Sequence, residues 1–433
     1  MAPQVVGLIG IAALLLLIMI NIPVGFVLTL VGLLGFGYLI NINAALNMVA
    51  KDFYTVFTSY GLTVIPLFIL MGQVAYHSGI SRRLFDSTYM FIGHRPGGLA
   101  IATIIACAGF AAICGSTNAT AATMALVTIP EMKRYHYDDS LATGVVAAGG
   151  SLGILIPPSV IFIIYGLMTE QSIGKLFMAG IIPGVMLTFL FIIAIFIWSH
   201  LKPEIAPPGE KKHISERIKS LSGLIETIIL FLIVIIGLFL GIFTPTEAGA
   251  IAAFSTTALA FARRNIRIKD FFQALFETAR ISCMILVIVA GATVFGHFLA
   301  VTQIPFSIAN WVTSLNLPPS LVMAMIIGVY LVGGCFIDSL ALIMLTVPIF
   351  YPVVLELGFN PIWFGVIIVL VTQIGVITPP VGINVYVVSG VAKDVPLHTI
   401  FKGVIPLLIA LIVGTALLIP FPQIALFLPS LMK

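Results

Sequence analysis

Charge is what this sequence lacks. Only 8% of its 433 residues are Asp, Glu, Lys or Arg, against about 25% in soluble proteins. Hydrophobic residues make up 60%, and the mean hydropathy is +1.20. Such a chain cannot clothe a globule in polar groups, so it belongs in a bilayer. Ten-residue segments of alternating hydrophobicity are missing, which excludes an outer-membrane barrel. Cysteine is scarce: Cys107, Cys114, Cys283 and Cys335 show no paired spacing, so neither a disulfide framework nor a zinc site follows. There is no Walker A pattern, no H-E-x-x-H and no pair of intramembrane aspartates. ATP hydrolysis and intramembrane proteolysis lose their groups, and the chain reads as no enzyme. The formal net charge of +4 comes with no basic-aromatic patch, so no nucleic-acid partner is expected. The run Val5 to Ile20 lacks a basic flank and an A-x-A-like cleavage site, and reads as a retained helix.

What is present is repetition. Apolar runs near the roughly 20 residues of a spanning helix recur from end to end. Met124 to Pro130 (MALVTIP) returns as Leu342 to Pro348 (LIMLTVP). Gly153 to Pro158 (GILIPP) returns as Gly375 to Pro380 (GVITPP), and Gly180 to Pro183 as Gly403 to Pro406. Pro23 pairs with Pro245, and His77 with His297. Matches in one order and nearly constant spacing mark a duplicated unit. Residues 1–200 form the first half and 223–433 the second. The charged, Pro-containing stretch 201–222 reads as a cytoplasmic linker.

Lys and Arg in short loops favour the cytoplasm. Basic loops fall at Arg82 to Arg95, Lys133-Arg134, Lys202 to Lys219, Arg263 to Lys269 and Lys393 to Lys402. With all of them inside, 98–130 has basic loops on both flanks and must enter and leave on one face. It reads as a re-entrant hairpin, followed by a helix over 138–170 that carries Pro157-Pro158. In the second half 320–349 is the matching hairpin, and 361–391 carries Pro379-Pro380. The hairpin 320–349 has no Lys or Arg at either end and enters from outside. The expected fold is all-α and polytopic: two repeats of inverted topology, about ten spanning helices and two hairpins. That is the architecture of secondary transporters.

Proline removes a backbone donor and breaks a helix. At membrane depth, backbone groups freed this way must find partners or line a wet cavity. Broken helices offer carbonyl oxygens to Na⁺ and helix N-termini to carboxylates. Each hairpin tip is polar: Gly115-Ser116-Thr117-Asn118-Ala119-Thr120, and Gly334-Cys335-Phe336-Ile337-Asp338-Ser339. Small residues and hydroxyls there can complete an oxygen cage with Gly149-Gly150-Ser151 and Gly153 on one side. Thr372, Gly375 and Thr378 offer the same on the other. Asp338 is the sharpest residue, because an ionisable group inside a membrane segment marks function by default. Ser159, Tyr165 and Asn384 follow the breaks and are candidates to face a substrate, with simple packing as the alternative. Glu247 reads as a helix-start carboxylate, and Glu226, Glu277 and Arg280 as groups that pair or snorkel near membrane ends. His77 and His297 have no metal partners in sequence and read as packed.

These motifs carry a family resemblance. GSTNATAATM (115–124), GILIPPS (153–159), FTPTEAGA (243–250), GCFIDSLALIMLTVPIFYPV (334–353) and TPPVGINVYV (378–387) together resemble the large membrane subunit of tripartite ATP-independent periplasmic (TRAP) transporters. The resemblance covers nearly the whole chain. It implies an elevator-type carrier in the bacterial or archaeal inner membrane, driven by Na⁺ and importing organic acids such as C4-dicarboxylates or sialic acids. It also implies two partners, a small four-helix membrane subunit and a periplasmic substrate-binding protein. One Na⁺ site is expected between the first tip (Ser116, Thr117) and Gly150, Ser151, Gly153 and Pro157. The other is expected between the second hairpin (Gly334, Asp338) and Thr372, Gly375, Thr378 and Pro379. Substrate contacts are expected from Asn118, Ser159, Asp338 and Asn384. Asn118 departs from the small residue or serine of many relatives. The competing expectation is a stand-alone Na⁺- or H⁺-coupled carboxylate carrier that needs no binding protein.

Overall fold

The computed structural model describes residues 2–432 except Asn21, Glu210, Lys212, Leu315 and Asn316, and among the described residues every regular element is helical. The chain opens with α1 (Pro3–Met19), α2 (Val24–Leu39), α3 (Ile42–Thr58), α4 (Val64–His77) and α5 (Ile80–Ile92). The first hairpin follows as α6 (Gly98–Cys114) and α7 (Thr117–Arg134). Next come the interrupted pair α8 (Asp139–Ser151) and α9 (Val160–Thr169), and then the long α10 (Ile173–Leu201). The remainder runs through α11 (Ile214–Phe239), α12 (Pro245–Ala262), α13 (Ile268–Thr302) and α14 (Ile304–Ser314). The second hairpin is α15 (Pro319–Gly334) with α16 (Ser339–Glu356). The second interrupted pair is α17 (Pro361–Ile377) with α18 (Ile383–Val391), and α19 (Leu397–Leu418) and α20 (Gln423–Ser430) close the chain. Helix breaks thus fall at both polar turns and at both Pro-Pro pairs. The bonds Pro157–Pro158 and Pro379–Pro380 are both cis.

Four helices escape a search for apolar runs: α3, α5, α14 and α20. The reason is clearest for α5, which buries Ile80, Leu84, Phe85 and Thr88 on one face and exposes Arg82 and Asp86 on the other. Its signal is amphipathic period rather than hydropathy. Among the described residues, six helices are long and apolar enough to cross a bilayer by length and composition. Several of the other expected spans rest on helices of 17 residues or fewer. Examples are α1 and α2, at 17 and 16 residues, and the interrupted pairs, in which neither piece spans alone. The linker is also shorter than its composition implies, because α11 starts at Ile214 and takes in the last part of 201–222.

Two groups of helices pack on one another. One holds α1 to α4 with α12 and α13, where α2 lies along α13 and α4 along α12. The other holds α6 to α10 with α15 to α20, where α8 packs on α7 and α19, and α15 on α17. The helices α5 and α11 run together beside α6 and α12. Polar contacts gather the five basic loops on one face. Glu226 is buried and pairs with Arg83 at 3.0 Å and with Arg263. The Gly97 and Asp138 amides donate to the linker carbonyls of Ala206 and Ile205 at 3.1 and 3.0 Å. Lys133 pairs with Asp394, beside Lys393. The hydrogen bond from Lys133 holds the Asp394 carboxyl below the usual carboxylate range. Loops that the charge rule assigns to one side thus meet on one side.

Candidate functional site

The two hairpin tips face one cavity of about 770 Å³, a volume in the range of small-molecule sites. The first tip contributes Gly115 to Ala119 and the second Asp338 to Ala341. The opposite wall is the start of α2 with α4 and α13. It is apolar apart from Gln73, with Phe26, Ile69, Met284, Ile285 and Ile288 among its side chains. Asp338 is the one charged side chain among the described residues of the lining, which includes no Lys, Arg or His.

Helix ends organise the tips. The polar turn of each hairpin starts a helix that points its N-terminus at the cavity. At α7 the cap is neutral: the Ser116 hydroxyl accepts from the Ala119 amide, and the Thr117 hydroxyl donates to Asn118 Oδ1 at 3.2 Å. At α16 the cap is an ionisable carboxyl: Asp338 Oδ2 accepts from the Leu340 amide at 3.0 Å. The neighbouring Ser339 lines the cavity, and its buried hydroxyl has no hydrogen-bond partner.

Helix C-termini gather behind the tips. Gly115 closes α6 with φ +64°, and a methyl group built on it would lie 2.6 Å from the Pro158 carbonyl oxygen. A methyl group on Gly153 would lie 2.4 Å from the Ser116 carbonyl oxygen, so only glycine lets α8's end meet the first tip this closely. The second hairpin repeats the arrangement. A methyl group on Gly375 would lie 2.4 Å from the Gly334 carbonyl carbon, and Gly334 also sits against the Thr372 carbonyl. Each tip therefore joins the carbonyl-rich ends of two helices, α6 with α8 and α15 with α17, where partial negative charge collects.

The hydroxyls expected to ligate a cation use their protons on their own helices. Ser151 donates to Ala148, Thr372 to Val369 and Thr378 to Ile374, at 2.7, 2.8 and 2.6 Å. Their oxygen lone pairs remain acceptors. Gly150 packs on Ala121 of α7. No group of three or more His, Cys, Asp or Glu able to hold a metal ion occurs among the described residues. A cation at either junction would therefore draw mainly on carbonyl and hydroxyl oxygens, with Asp338 the one carboxylate at the tips.

Other expected residues fall elsewhere. Ser159 does not face the cavity: it is buried, donates to the Ile154 carbonyl at 2.6 Å and caps α9. Tyr165 donates to the Pro361 carbonyl at 2.6 Å and ties α9 to α17. Asn384 is fully buried behind Ile383, which does line the cavity. Its amide donates to the Ala147 carbonyl at 3.1 Å, and its Oδ1 has no partner. Sequence reasoning passes over Gln373, which is fully buried with neither amide atom partnered. Its position between Thr372 and the Pro-Pro break is the signal that was available. Both repeat-matched histidines have carboxylate partners, His77 with Glu277 at 3.2 Å and His297 with Asp52 at 2.8 Å. Glu247 forms a capping box with Thr244, as a helix-start carboxylate should. One hydrolase-like string also escapes notice: Gly149 to Gly153 spells G-x-S-x-G. Ser151 sits at a helix C-terminus, fully buried and bonded to Ala148, so it is no nucleophile elbow.

The family model for the DctM component of tripartite ATP-independent periplasmic transporters matches residues 11–424. The chain belongs to that family. It is 39% identical over 374 residues to the C4-dicarboxylate TRAP transporter large permease protein DctM of Pseudomonas aeruginosa, covering 86% of each chain. It is 35% identical over 418 residues to the sialic acid TRAP transporter large permease protein SiaM of Vibrio cholerae, covering 96% of each. The fold resembles the crystal structure of the Alcanivorax borkumensis YdaH transporter, with a TM-score of 0.66, 15% identity and 90% of each chain covered. This TRAP large permease is a transporter rather than an enzyme, a multi-pass inner-membrane component of a tripartite system.

Proposed function

We propose that this TRAP permease imports an organic acid by Na⁺-coupled, elevator-type alternating access. The observation that carries the reading is the convergence of both hairpin tips on one cavity, with helix N-termini towards it and helix C-termini behind. In this reading α6 to α9 and α15 to α18 move together and carry the acid across. The helices α1 to α4, α12 and α13 stay fixed as the scaffold. One Na⁺ would be held where Ser116 meets Gly153, and a second where Gly334 meets Thr372 and Gly375. The Na⁺ gradient supplies the driving force. The chain's own groups orient the acid: the α7 N-terminus, Asn118 and the tip hydroxyls receive a carboxylate, and Asp338 fixes the opposite tip. The two repeats would have inverted topology, as the basic-loop pattern supports. A periplasmic binding protein delivers the acid, and a small four-helix membrane subunit completes the complex.

The test is uptake of a panel of radiolabelled organic acids into proteoliposomes. These hold the permease with its small subunit, with and without an inward Na⁺ gradient and the binding protein. Uptake of an acid that needs both supports the proposal. Robust uptake without any binding protein moves the chain to the stand-alone carriers, and uptake indifferent to Na⁺ removes the coupling.

A further inference from the structure

We infer that the acid this cavity accepts is a monocarboxylate with an apolar body, its carboxylate on the first hairpin tip. The inference rests on the organic-acid reading above and sharpens it.

Three observations carry it. The first is charge. The lining holds one carboxylate, Asp338, and no basic side chain. Anionic groups of a substrate must therefore be met by helix N-termini, neutral donors and the coupling cations. The two Na⁺ proposed above would balance an ionised Asp338 and one substrate carboxylate. A second substrate carboxylate would leave an uncompensated negative charge in a low-dielectric cavity, where like charges disfavour one another strongly.

The second is that the two helix N-termini are not equivalent. At α16 the Asp338 carboxylate already accepts from the first-turn amide of Leu340. That end is occupied by its own side chain, and Asp338 in its ionised form repels an anion. At α7 the cap is the neutral Ser116 hydroxyl, beside Thr117 and Asn118, so its end is still open to an anion. One open N-terminus suits one carboxylate. Near the closed end, the buried and unpartnered Ser339 hydroxyl is a neutral group that a substrate oxygen can satisfy.

The third is the opposite wall. Phe26, Ile69, Ile281, Met284, Ile285 and Ile288 face the tips with little polar relief. A polyhydroxylated body placed against them would leave hydroxyls unpaired, which a binding site disfavours. An alkyl body removes those side chains from water instead.

The experiment is the ligand-induced rise in melting temperature of the purified permease with its small subunit, in saturating Na⁺. The probes are 4-methylpentanoate, succinate and N-acetylneuraminate. The binding protein is left out, so its own selectivity does not enter. The expected result is stabilisation by 4-methylpentanoate at concentrations at least about tenfold lower than for the other two. Asn118→Asp, which places a second carboxylate at the open tip, should weaken that response by about tenfold or more, and Asn118→Ser should keep most of it. A stronger response to succinate or N-acetylneuraminate overturns the inference and leaves the organic-acid reading standing. A response to none of the three also overturns it. If, in addition, no acid is taken up in the proteoliposome assay, the organic-acid reading falls as well.

Discussion

The two Pro-Pro breaks carry the same motif and lie in different surroundings. Residues 151–160 are buried without exception, while Pro379 and Pro380 are exposed and Val381 is half-exposed. The first break is roofed by α10, whose Gly180 and Gly184 lie against Leu155 and Ile156. The matched Gly403 of α19 lies instead against the Ser140 carbonyl of α8, and the second break stays open. The tips differ in a parallel way: the buried side has the neutral Ser116 cap, the open side the charged Asp338. One geometry thus carries two chemistries, a closed neutral junction and an open acidic one.

Four experiments break or sharpen that contrast. Removing the charge should have the largest effect. Asp338→Asn is expected to cut initial uptake by about 100-fold, roughly 2.7 kcal/mol, with normal insertion and melting behaviour. Ser116→Ala should cost only about tenfold, and equal losses at the two tips would erase the chemical difference between them. Closing the junctions comes next. Gly153→Ala and Gly375→Ala each force a methyl group against a neighbouring backbone. Overpacking of this kind costs about 1–3 kcal/mol, read as a lowered melting temperature and a raised Na⁺ requirement. The first variant should suffer more, because its surroundings are buried on all sides.

Accessibility separates the breaks without altering chemistry. In a cysteine-free background, Val381→Cys should react with a polar maleimide at least about tenfold faster than Ile156→Cys, following exposure. Equal rates would remove the closed-versus-open distinction. The smallest effect is expected at Lys133 and Asp394, which join the two halves on the basic face. Cysteines at both positions should cross-link and be labelled only from the cytoplasm, with uptake nearly unchanged. Because Lys133 lowers the Asp394 carboxyl pKa, the native pair should persist at neutral pH. It should be lost only as pH falls through that depressed value.

Much of this site was legible in the sequence, for identifiable reasons. Prolines inside apolar runs, and Ser, Asn or Asp at hairpin tips, are local violations of the membrane rule, and such violations gather at functional places. Pairing the first tip with Gly150 to Pro157, and the second hairpin with Thr372 to Pro379, was what the family resemblance implied. Residues whose role depends on direction were not legible. Ser159 and Asn384 stand in the right segments, but helix rotation turns them into the packed interior. Gln373 looked like one more residue of an apolar helix, since the lack of a partner can be seen only in three dimensions. The helices α3 and α5 were hidden because their charges, Lys51 and Asp52, or Arg82, Arg83 and Asp86, lower the hydropathy that marks a span. His77 and His297 were matched by the repeat, but their partners Glu277 and Asp52 lie on other helices and no spacing rule reaches them.

The central claim is that each tip and its broken helix enclose a cation behind a shared substrate cavity. The most direct test is a pair of high-resolution maps of the permease with its small subunit, one in Na⁺ buffer and one in K⁺ buffer. The account predicts two density peaks present only in Na⁺, one bounded by the carbonyl of Ser116 and the end of α8, the other by Gly334, Thr372 and Gly375. Sodium-dependent peaks at other places, or identical maps in the two buffers, would contradict it.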